Sequence, residues 1–300
     1  MTGLEEWVLL HSLQGMGPAT LGKLLKRFDE PQNVFKASRY ELMRIGLKEK
    51  LVNSILYKHN FEPIKKIILE LKRRQFKIIT LYDNEYPEKL KGIKNLPPVI
   101  YVYGSLNISK SIAIIGATQP TKEGLLKAYK LAYELAKNGF TIVSGYAKGI
   151  DTQAHIGAIK NGKTIMVLPF GVLNFRLHKE LLLDANKLWA NGIIVSESFP
   201  TANWTTAQAI LRNRITSALA DAVVVVEPGT KGGTISTARW AKQQNKQVFI
   251  STPVVMTTPV VMTTPVVMTT PINTNRGEEI LKMGAIEIKD TKELLQYIEK

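Results

Sequence analysis

Cysteine is absent from the chain, and only four of its 300 residues are histidine. Without thiols there is no disulfide, no thiolate zinc ligand and no cysteine nucleophile. The histidines also stand at no metal-ligand spacing; they are His11, His59, His155 and His178. The sequence therefore predicts no metal site, and nothing in it predicts a bound cofactor.

Long apolar runs are missing as well. No stretch approaches the roughly 18 uninterrupted apolar residues of a membrane-spanning helix. Glu5 and Glu6 occupy the region in which a secretory signal peptide carries positive charge. We therefore expect a cytoplasmic protein with no membrane partner.

Acidic residues are fewer than basic residues. The chain has 25 Asp and Glu against 40 Lys and Arg, which gives a formal net charge of +15 and a pI near 9.7. This balance favours a polyanionic partner. Hydrophobic residues make up 45% of the chain, which is enough for a real core and excludes a wholly disordered protein. The length favours two domains.

Residues 1–75 predict a small all-helical domain, because apolar residues such as Leu21 and Leu24 recur at helical spacing. The stretch 15–18, Gly-Met-Gly-Pro, is typical of a helix-hairpin-helix turn, whose backbone amides can hold a phosphate. A weaker copy stands at residues 44–47. A plain helical turn in a small bundle explains the same residues, and both interpretations stay open.

Residues 76–300 predict a second, α/β domain. From residue 111 onward, short apolar runs alternate with amphipathic helical stretches, which is typical of a Rossmann-like, doubly wound, mostly parallel sheet. In that fold ligands bind at the carboxyl ends of the strands. The runs are IAIIG (112–116), FTIVSG (140–145), TIMVLPFG (164–171), IIVSES (193–198), DAVVVVEP (221–228) and QVFIST (247–252).

Residues 253–271 contain three copies of the hexamer PVVMTT and a further proline. A hexamer is too short to form a packed repeat unit, and such frequent proline excludes a central strand. We expect an extended, low-complexity insertion.

Four segments that follow predicted strands are rich in glycine or basic residues, at 115–121, 144–151, 211–215 and 227–234. Phosphate sites need glycines for close backbone approach and cations for charge. Each segment alone is an ordinary α/β turn, but four at one sheet edge predict an anion site. In the first, Thr121 is a candidate helix cap.

No catalytic residues are predicted. The chain has no GxxxxGK[ST] sequence, which disfavours a P-loop NTPase, and no GxGxxG follows the first core strand, which disfavours a dinucleotide oxidoreductase. His155 lies mid-helix, where packing is the commoner role, and Asp151 at a helix start is more often an N-cap than an acid. We expect a protein that is not an enzyme.

The residues from 78 to about 250 resemble the DNA-processing protein A (DprA/Smf) family. The specific parts are SGYAKGIDTQAH (144–155) and RNRI (212–215), supported by IAIIGATQPT and GGTISTARWAKQQNKQVF. The helical segment is similar, more loosely, to the family's SAM-like, helix-hairpin-helix-type domain. The resemblance implies a Rossmann-like fold, a homodimer, binding of single-stranded DNA in a basic pocket, protection of incoming DNA, and loading of the RecA recombinase in natural transformation.

The resemblance also implies which residues bind DNA phosphates. Carried over by position, and joined by the loop residues Thr118 and Gly233, they are Gly116, Thr118, Gly145, Lys148, Gly149, Arg212, Asn213, Arg214, Gly232, Gly233 and Thr234. Tyr146, Phe170 and Phe175 lie near these loops and are candidates for stacking on bases, with core packing the expected role of at least one.

This sequence departs from the family pattern after the first core strand. The family usually has Gly-Ser-Arg there, and Ala117-Thr118 replaces Ser-Arg, so an arginine that would bind phosphate is missing. Two alternatives therefore stay open. One is a nucleotide-binding sensor. The other is a relative of LOG-type nucleoside monophosphate phosphoribohydrolases, although Ser236 and Thr237 occupy the place of their catalytic glutamate.

Overall fold

The computed structural model of the chain describes residues 3–57, 59–229, 232–251 and 274–299. The chain forms two compact units. The first comprises residues 1–107, 168–176 and 193–209, and the second residues 108–167, 177–192 and 210–300. The predicted PVVMTT insertion lies outside the described residues. The predicted domain boundary after residue 75 is not tested by this division and stays a prediction.

Helices occupy much of the described chain. In order they are α1 (Leu4–Ser12), α2 (Pro18–Phe28), α3 (Pro31–Lys36), α4 (Arg39–Arg44), α5 (Glu49–Leu56), α6 (Glu62–Arg73), α7 (Glu88–Lys91), α8 (Lys122–Lys137), α9 (Ile150–Ile159), α10 (Ala185–Asn191), α11 (Thr206–Ala218), α12 (Gly233–Gln243), α13 (Thr274–Lys282) and α14 (Thr291–Ile298). Within the described residues, 3-10 helices cover Val172–Asn174 and Lys179–Asp184.

Nine strands lie in the described chain, and the six between residues 111 and 251 follow the predicted apolar runs. They are β1 (Phe76–Thr80), β2 (Val99–Tyr103), β3 (Ser111–Gly116), β4 (Thr141–Ser144), β5 (Thr164–Val167), β6 (Gly192–Ser196), β7 (Ala222–Val226), β8 (Gln247–Ser251) and β9 (Ile286–Ile288).

The first unit contains α1 to α6, which confirms the predicted helical character of the N-terminal segment. Pro18 begins α2 at a position where its missing N–H costs nothing. The start of α4 carries a capping box, in which the Ser38 hydroxyl accepts from the Glu41 amide and the Glu41 carboxylate accepts from the Ser38 amide. In the same unit β2 pairs antiparallel with both β1 and β6.

The second unit contains a parallel sheet with the strand order β5-β4-β3-β7-β8-β9. The chain builds outward from β3 through β4 to β5, and then continues from β7 on the other side of β3. The loops after β3 and β7 therefore leave the sheet at the point where the strand order reverses, which is where this architecture binds ligands.

Helices cover both faces of this sheet. Leu131 of α8 and Ala154 of α9 share one buried cluster with Ile114 and Val224 of the sheet. Helix α12 packs on β7 and β8, and its buried Ile235 lies outside that cluster. These layers confirm the predicted Rossmann-like, doubly wound fold. No helix in the described ranges is both long enough and apolar enough to span a bilayer.

Candidate functional site

All of the predicted phosphate-binding residues lie in the second unit. Hydrogen bonds join the loops that follow β3 and β7. The Ala117 amide donates to the Glu227 carbonyl at 2.8 Å, and the Thr234 hydroxyl donates to the Gly116 carbonyl at 3.4 Å. The Gly229 amide in turn donates to the Thr234 hydroxyl at 3.4 Å. Two segments that lie more than a hundred residues apart in the chain thus form one rim at the reversal point.

Helix α8 begins at this rim, and its cap was predicted correctly. The Thr121 hydroxyl accepts from the Gly124 amide at 3.0 Å. Glu227 was not predicted from the sequence, and its carboxylate accepts from the Thr121 amide at 2.8 Å and from the Thr121 hydroxyl at 2.7 Å. A carboxylate therefore already occupies the electropositive start of α8. The signal that was available is a glutamate directly after five apolar strand residues.

The loop between β4 and α9 is held in place from below by Asp151. The Asp151 carboxylate accepts from the amides of Gly145 at 3.1 Å and Ala147 at 3.2 Å. Gly149, and not Asp151, is the N-cap of α9, so the predicted capping role of Asp151 is wrong. Burial raises the pKa of Asp151, and the neighbouring Arg212 and these hydrogen bonds oppose that rise. Asp151 serves to anchor the loop.

Gly149 is a position that only glycine fits. Its φ is 78° and its ψ −122°, a conformation that L side chains rarely adopt. A Cβ atom there would also lie 2.9 Å from the Thr118 carbonyl carbon. The structure therefore brings Gly149 against the loop after β3, as expected if both loops line one site.

Arg212 lies beneath the same loop. Its guanidinium Nη1 donates to the carbonyls of Gly145 and Val167. A Cβ atom on Gly145 would lie 2.6 Å from the Arg212 Cζ, so the arginine requires glycine above it. Burial lowers the pKa of Arg212 to about 10, while Asp151 raises it. The guanidinium thus remains a cation at neutral pH.

The RNR tripeptide lies within α11 and not at a strand-to-helix junction, which differs from the sequence interpretation. Asn213 is buried, and its amide Nδ2 donates to the Gly233 carbonyl at 3.2 Å. Arg214 has no exposed surface, and its Nη1 donates to the Leu211 carbonyl at 2.8 Å. A side chain without exposed surface contacts a ligand only if the structure moves, so the expected phosphate contact by Arg214 is absent from this arrangement.

Six of the predicted residues form the accessible part of the site. Thr118, Lys148 and Gly233 are exposed, and Gly116, Gly149 and Gly232 are partly exposed. Thr234 is buried, as is Gly145. Gly232 caps α12 in the left-handed conformation, with a φ of 52°. The first turn of α12, whose leading amides have no partner within the helix, therefore begins at the same rim.

Two aromatic candidates are buried. Tyr146 is 5% exposed and stacks on the His178 ring with a centroid distance of 4.2 Å. Phe175 is 7% exposed, so Tyr146 and Phe175 both serve packing. The third candidate, Phe170, is half-buried. His155 is fully buried, and its pKa is lowered to about 3, chiefly by that burial. It packs, as its place in the middle of a helix predicted.

Comparison with known proteins agrees with these features. The sequence profile of the family described as DNA recombination-mediator protein A matches residues 77–299. The chain belongs to this family. Among its curated relatives is Protein Smf of Synechocystis, 32% identical over 253 residues, which are 81% of this chain and 63% of that protein. DNA processing protein DprA of Bacillus subtilis is 30% identical over 63% of this chain and 65% of its own length. The chain thus spans just under two thirds of both family members.

Solved structures of the family share the fold. DNA processing protein A of Streptococcus pneumoniae superposes with a TM-score of 0.77 at 22% identity, covering 99% of this chain and 98% of that one. The family member of Helicobacter pylori, whose structure describes a single-stranded DNA binding mode, gives a TM-score of 0.59 at 28% identity over 75% of this chain and 96% of that one.

Proposed function

We propose that this chain binds single-stranded DNA through phosphate contacts at the strand ends of its second unit. The observation that carries the proposal is the Gly145–Gly149 loop, which presents the exposed Lys148 and is supported from beneath by a buried cation, Arg212. Lysine and loop amides are the groups that bind a nucleic-acid backbone without reading its sequence. Membership of the family, and the DNA binding described for the Helicobacter pylori protein, support the same assignment.

The predicted residues divide into two roles in this proposal. The exposed and partly exposed groups contact phosphates; they are Gly116, Thr118, Lys148, Gly149, Gly232 and Gly233, with the first turn of α12. The buried groups, Arg212, Asn213, Arg214, Gly145 and Thr234, hold the loops in position. Because Ala117-Thr118 carries no cation and Glu227 lies beside it, the loop after β3 contributes little charge.

The finer parts of the function rest on the family resemblance. We propose a cytoplasmic homodimer that protects incoming single-stranded DNA and loads RecA recombinase on it during natural transformation. We propose no catalytic step. In the place where LOG-type hydrolases carry glutamate, the Thr237 hydroxyl donates to the Gly233 carbonyl at 3.2 Å.

Fluorescence anisotropy tests the proposal directly. A labelled oligo-dT of about 30 nucleotides is titrated at two salt concentrations, beside a duplex of the same length. We expect tighter binding of the single strand and a strong loss of affinity with salt. Absence of binding at low salt would contradict the proposal, and competition by a free nucleotide at low concentration would favour the nucleotide-sensor alternative.

Lys148→Ala is the variant that tests the site. We expect weaker binding and a salt slope reduced by about one, because one phosphate contact is lost. Lys137→Ala is the matched control, since Lys137 is exposed in the last turn of α8, away from the strand ends. Equal affinity and slope for Lys148→Ala and the wild type would exclude this loop as the DNA site.

A further inference from the structure

His178 contacts Tyr146 of the Lys148 loop twice and is connected to the loop a third time through Thr152 of α9. Its ring stacks on Tyr146, with centroids 4.2 Å apart and planes inclined by 25°. Its backbone amide donates to the Tyr146 hydroxyl at 3.0 Å. Its Nδ1 lies 3.2 Å from the Thr152 hydroxyl, which donates to the Ala147 carbonyl at 2.8 Å. The histidine thus holds the loop through a ring, a main-chain group and a hydroxyl relay.

These contacts assign the protons of the imidazole. The Thr152 hydroxyl has one proton, and it goes to the Ala147 carbonyl. The hydroxyl oxygen therefore accepts from His178, so Nδ1 carries the proton and Nε2 holds the lone pair. Nε2 is the atom that gains a proton when the ring becomes charged.

The loop is held in a conformation that needs such support. Tyr146 has a φ of 58°, in the left-handed region that a non-glycine residue enters at a cost. The next residues are Ala147, which is held by Asp151 and Thr152, and then the exposed Lys148. The stack on His178 and the hydrogen bond to the Tyr146 hydroxyl fix Tyr146, which directly precedes Ala147 and Lys148. The geometry therefore connects His178 to the position of the exposed cation.

The charges around His178 come from several elements. Burial lowers the pKa of His178 below its ordinary value of 6.5, Glu180 on its own 3-10 helix raises it, and Lys148 lowers it. The ionisable groups on the packed elements are Tyr146 and Lys148 of the loop, Asp151 and His155 of α9 with Lys160 at its C-cap, Lys179, Glu180 and Asp184 of the 3-10 helix, and Arg212 of α11.

We propose that His178 positions the Lys148 loop and takes up a proton when a DNA phosphate binds there. The inference rests on the proposed function. In the free protein a second cation beside Lys148 is unfavourable, because like charges repel. A bound phosphate reverses the balance, since its negative charge stabilises both cations at once. Proton uptake and DNA binding thus favour each other, and the affinity for DNA rises as the pH falls.

The test measures the affinity for oligo-dT between about pH 8 and about pH 5.5, a range in which thymine has no titrating group and histidine does. For the wild type we expect Kd to fall about three- to tenfold across this range, since one proton taken up gives at most a tenfold change per pH unit. Calorimetry in two buffers of different ionisation enthalpy then counts the protons taken up, and we expect a value between zero and one that rises toward the lower end of the range.

Two variants separate the roles of the ring. His178→Gln keeps a donor for Thr152 but cannot titrate in this range, so the pH dependence should disappear. His178→Phe keeps the stack on Tyr146 but no donor, so it should bind more weakly at every pH and also lose the dependence. His59→Gln is the control, because His59 lies in the first unit, where its Nε2 is 3.3 Å from the Ile55 carbonyl. That variant should keep the wild-type pH profile.

The outcomes separate this inference from the proposed function. Wild-type binding with no pH dependence, or a dependence that persists in His178→Gln, would overturn the inference and leave the DNA site intact. Wild-type protein that binds no DNA at any pH would overturn both. A dependence removed by both His178 variants and kept in His59→Gln would support it, provided that thermal unfolding shows both variants folded.

Discussion

Gly145→Ala is the substitution for which the structure makes the sharpest prediction. The new methyl group would lie 2.6 Å from Cζ and 2.7 Å from Nη2 of Arg212, closer than such atoms approach. Neither the Gly145 backbone nor the Arg212 side chain can move away easily. The Gly145 amide is held by Asp151, and the Arg212 guanidinium is held by the carbonyls of Gly145 and Val167.

The expected cost follows from these contacts. Overpacking of a tight interior costs about 1–3 kcal/mol, and each displaced hydrogen bond of a charged group costs about 1.5–3 kcal/mol. If the guanidinium shifts far enough to lose one bond, the two costs together lower the free energy of unfolding by about 2.5–6 kcal/mol. DNA affinity falls as well, because the loop that carries Lys148 moves with Gly145.

Urea denaturation and oligo-dT anisotropy measure both effects, and a double-mutant cycle isolates the contact. With Arg212→Ala in the background, the added methyl group has space, so Gly145→Ala should cost about 1–2 kcal/mol less than it does alone. Gly22→Ala is the control of opposite sign. Nothing lies within 4 Å of a Cβ there, and the helical position should gain about 0.5–1 kcal/mol. A Gly145→Ala protein as stable as the wild type would refute the packing of Arg212 beneath the loop.

Two further predictions concern charge. Glu227→Gln keeps an acceptor for the amide and hydroxyl of Thr121 but removes a negative charge from the rim. Anisotropy should therefore show severalfold tighter binding of oligo-dT. Unchanged or weaker binding in a folded variant would place the DNA away from this loop. Burial lowers the pKa of His155 from 6.5 to about 3. Below pH 6.5 the unfolded chain therefore binds a proton that the folded protein does not. Stability is lost as the pH falls from 6.5 toward 3. Urea titrations at several pH values should show a loss of several kcal/mol, and His155→Phe should reduce it; an equal loss in that variant would contradict the assignment.

Local sequence patterns were enough to predict much of the fold. Apolar β-branched runs such as IAIIG and AVVVV became buried strands because continuous hydrophobicity suits a sheet covered on both faces. Thr121 was predicted as a helix cap from its place at a strand-to-helix turn, and it takes that role. In each case a few neighbouring residues contain the whole physical reason.

The structure corrected the interpretation where the reason lies far away in the chain. The RNR residues have the composition of a surface phosphate site, yet Arg212 and Arg214 are buried inside α11. Only the contact of that helix with the ends of β4 and β5 decides that the Arg212 guanidinium lies under Gly145 and not in solvent. Asp151 likewise anchors a loop and does not cap its helix, because the β4–α9 turn places two amides over its carboxylate.

By itself, then, the sequence determined the class of the fold, the family and the edge of the sheet at which anions are expected, because hydrophobic period and glycine turns are local properties. Tertiary structure alone decided which of the candidate cations is exposed, that Glu227 closes the start of α8, and that His178 stacks on Tyr146 from 32 residues away. Exposure and electrostatic partnership depend on which distant segments meet, and no local pattern in one sequence contains that information.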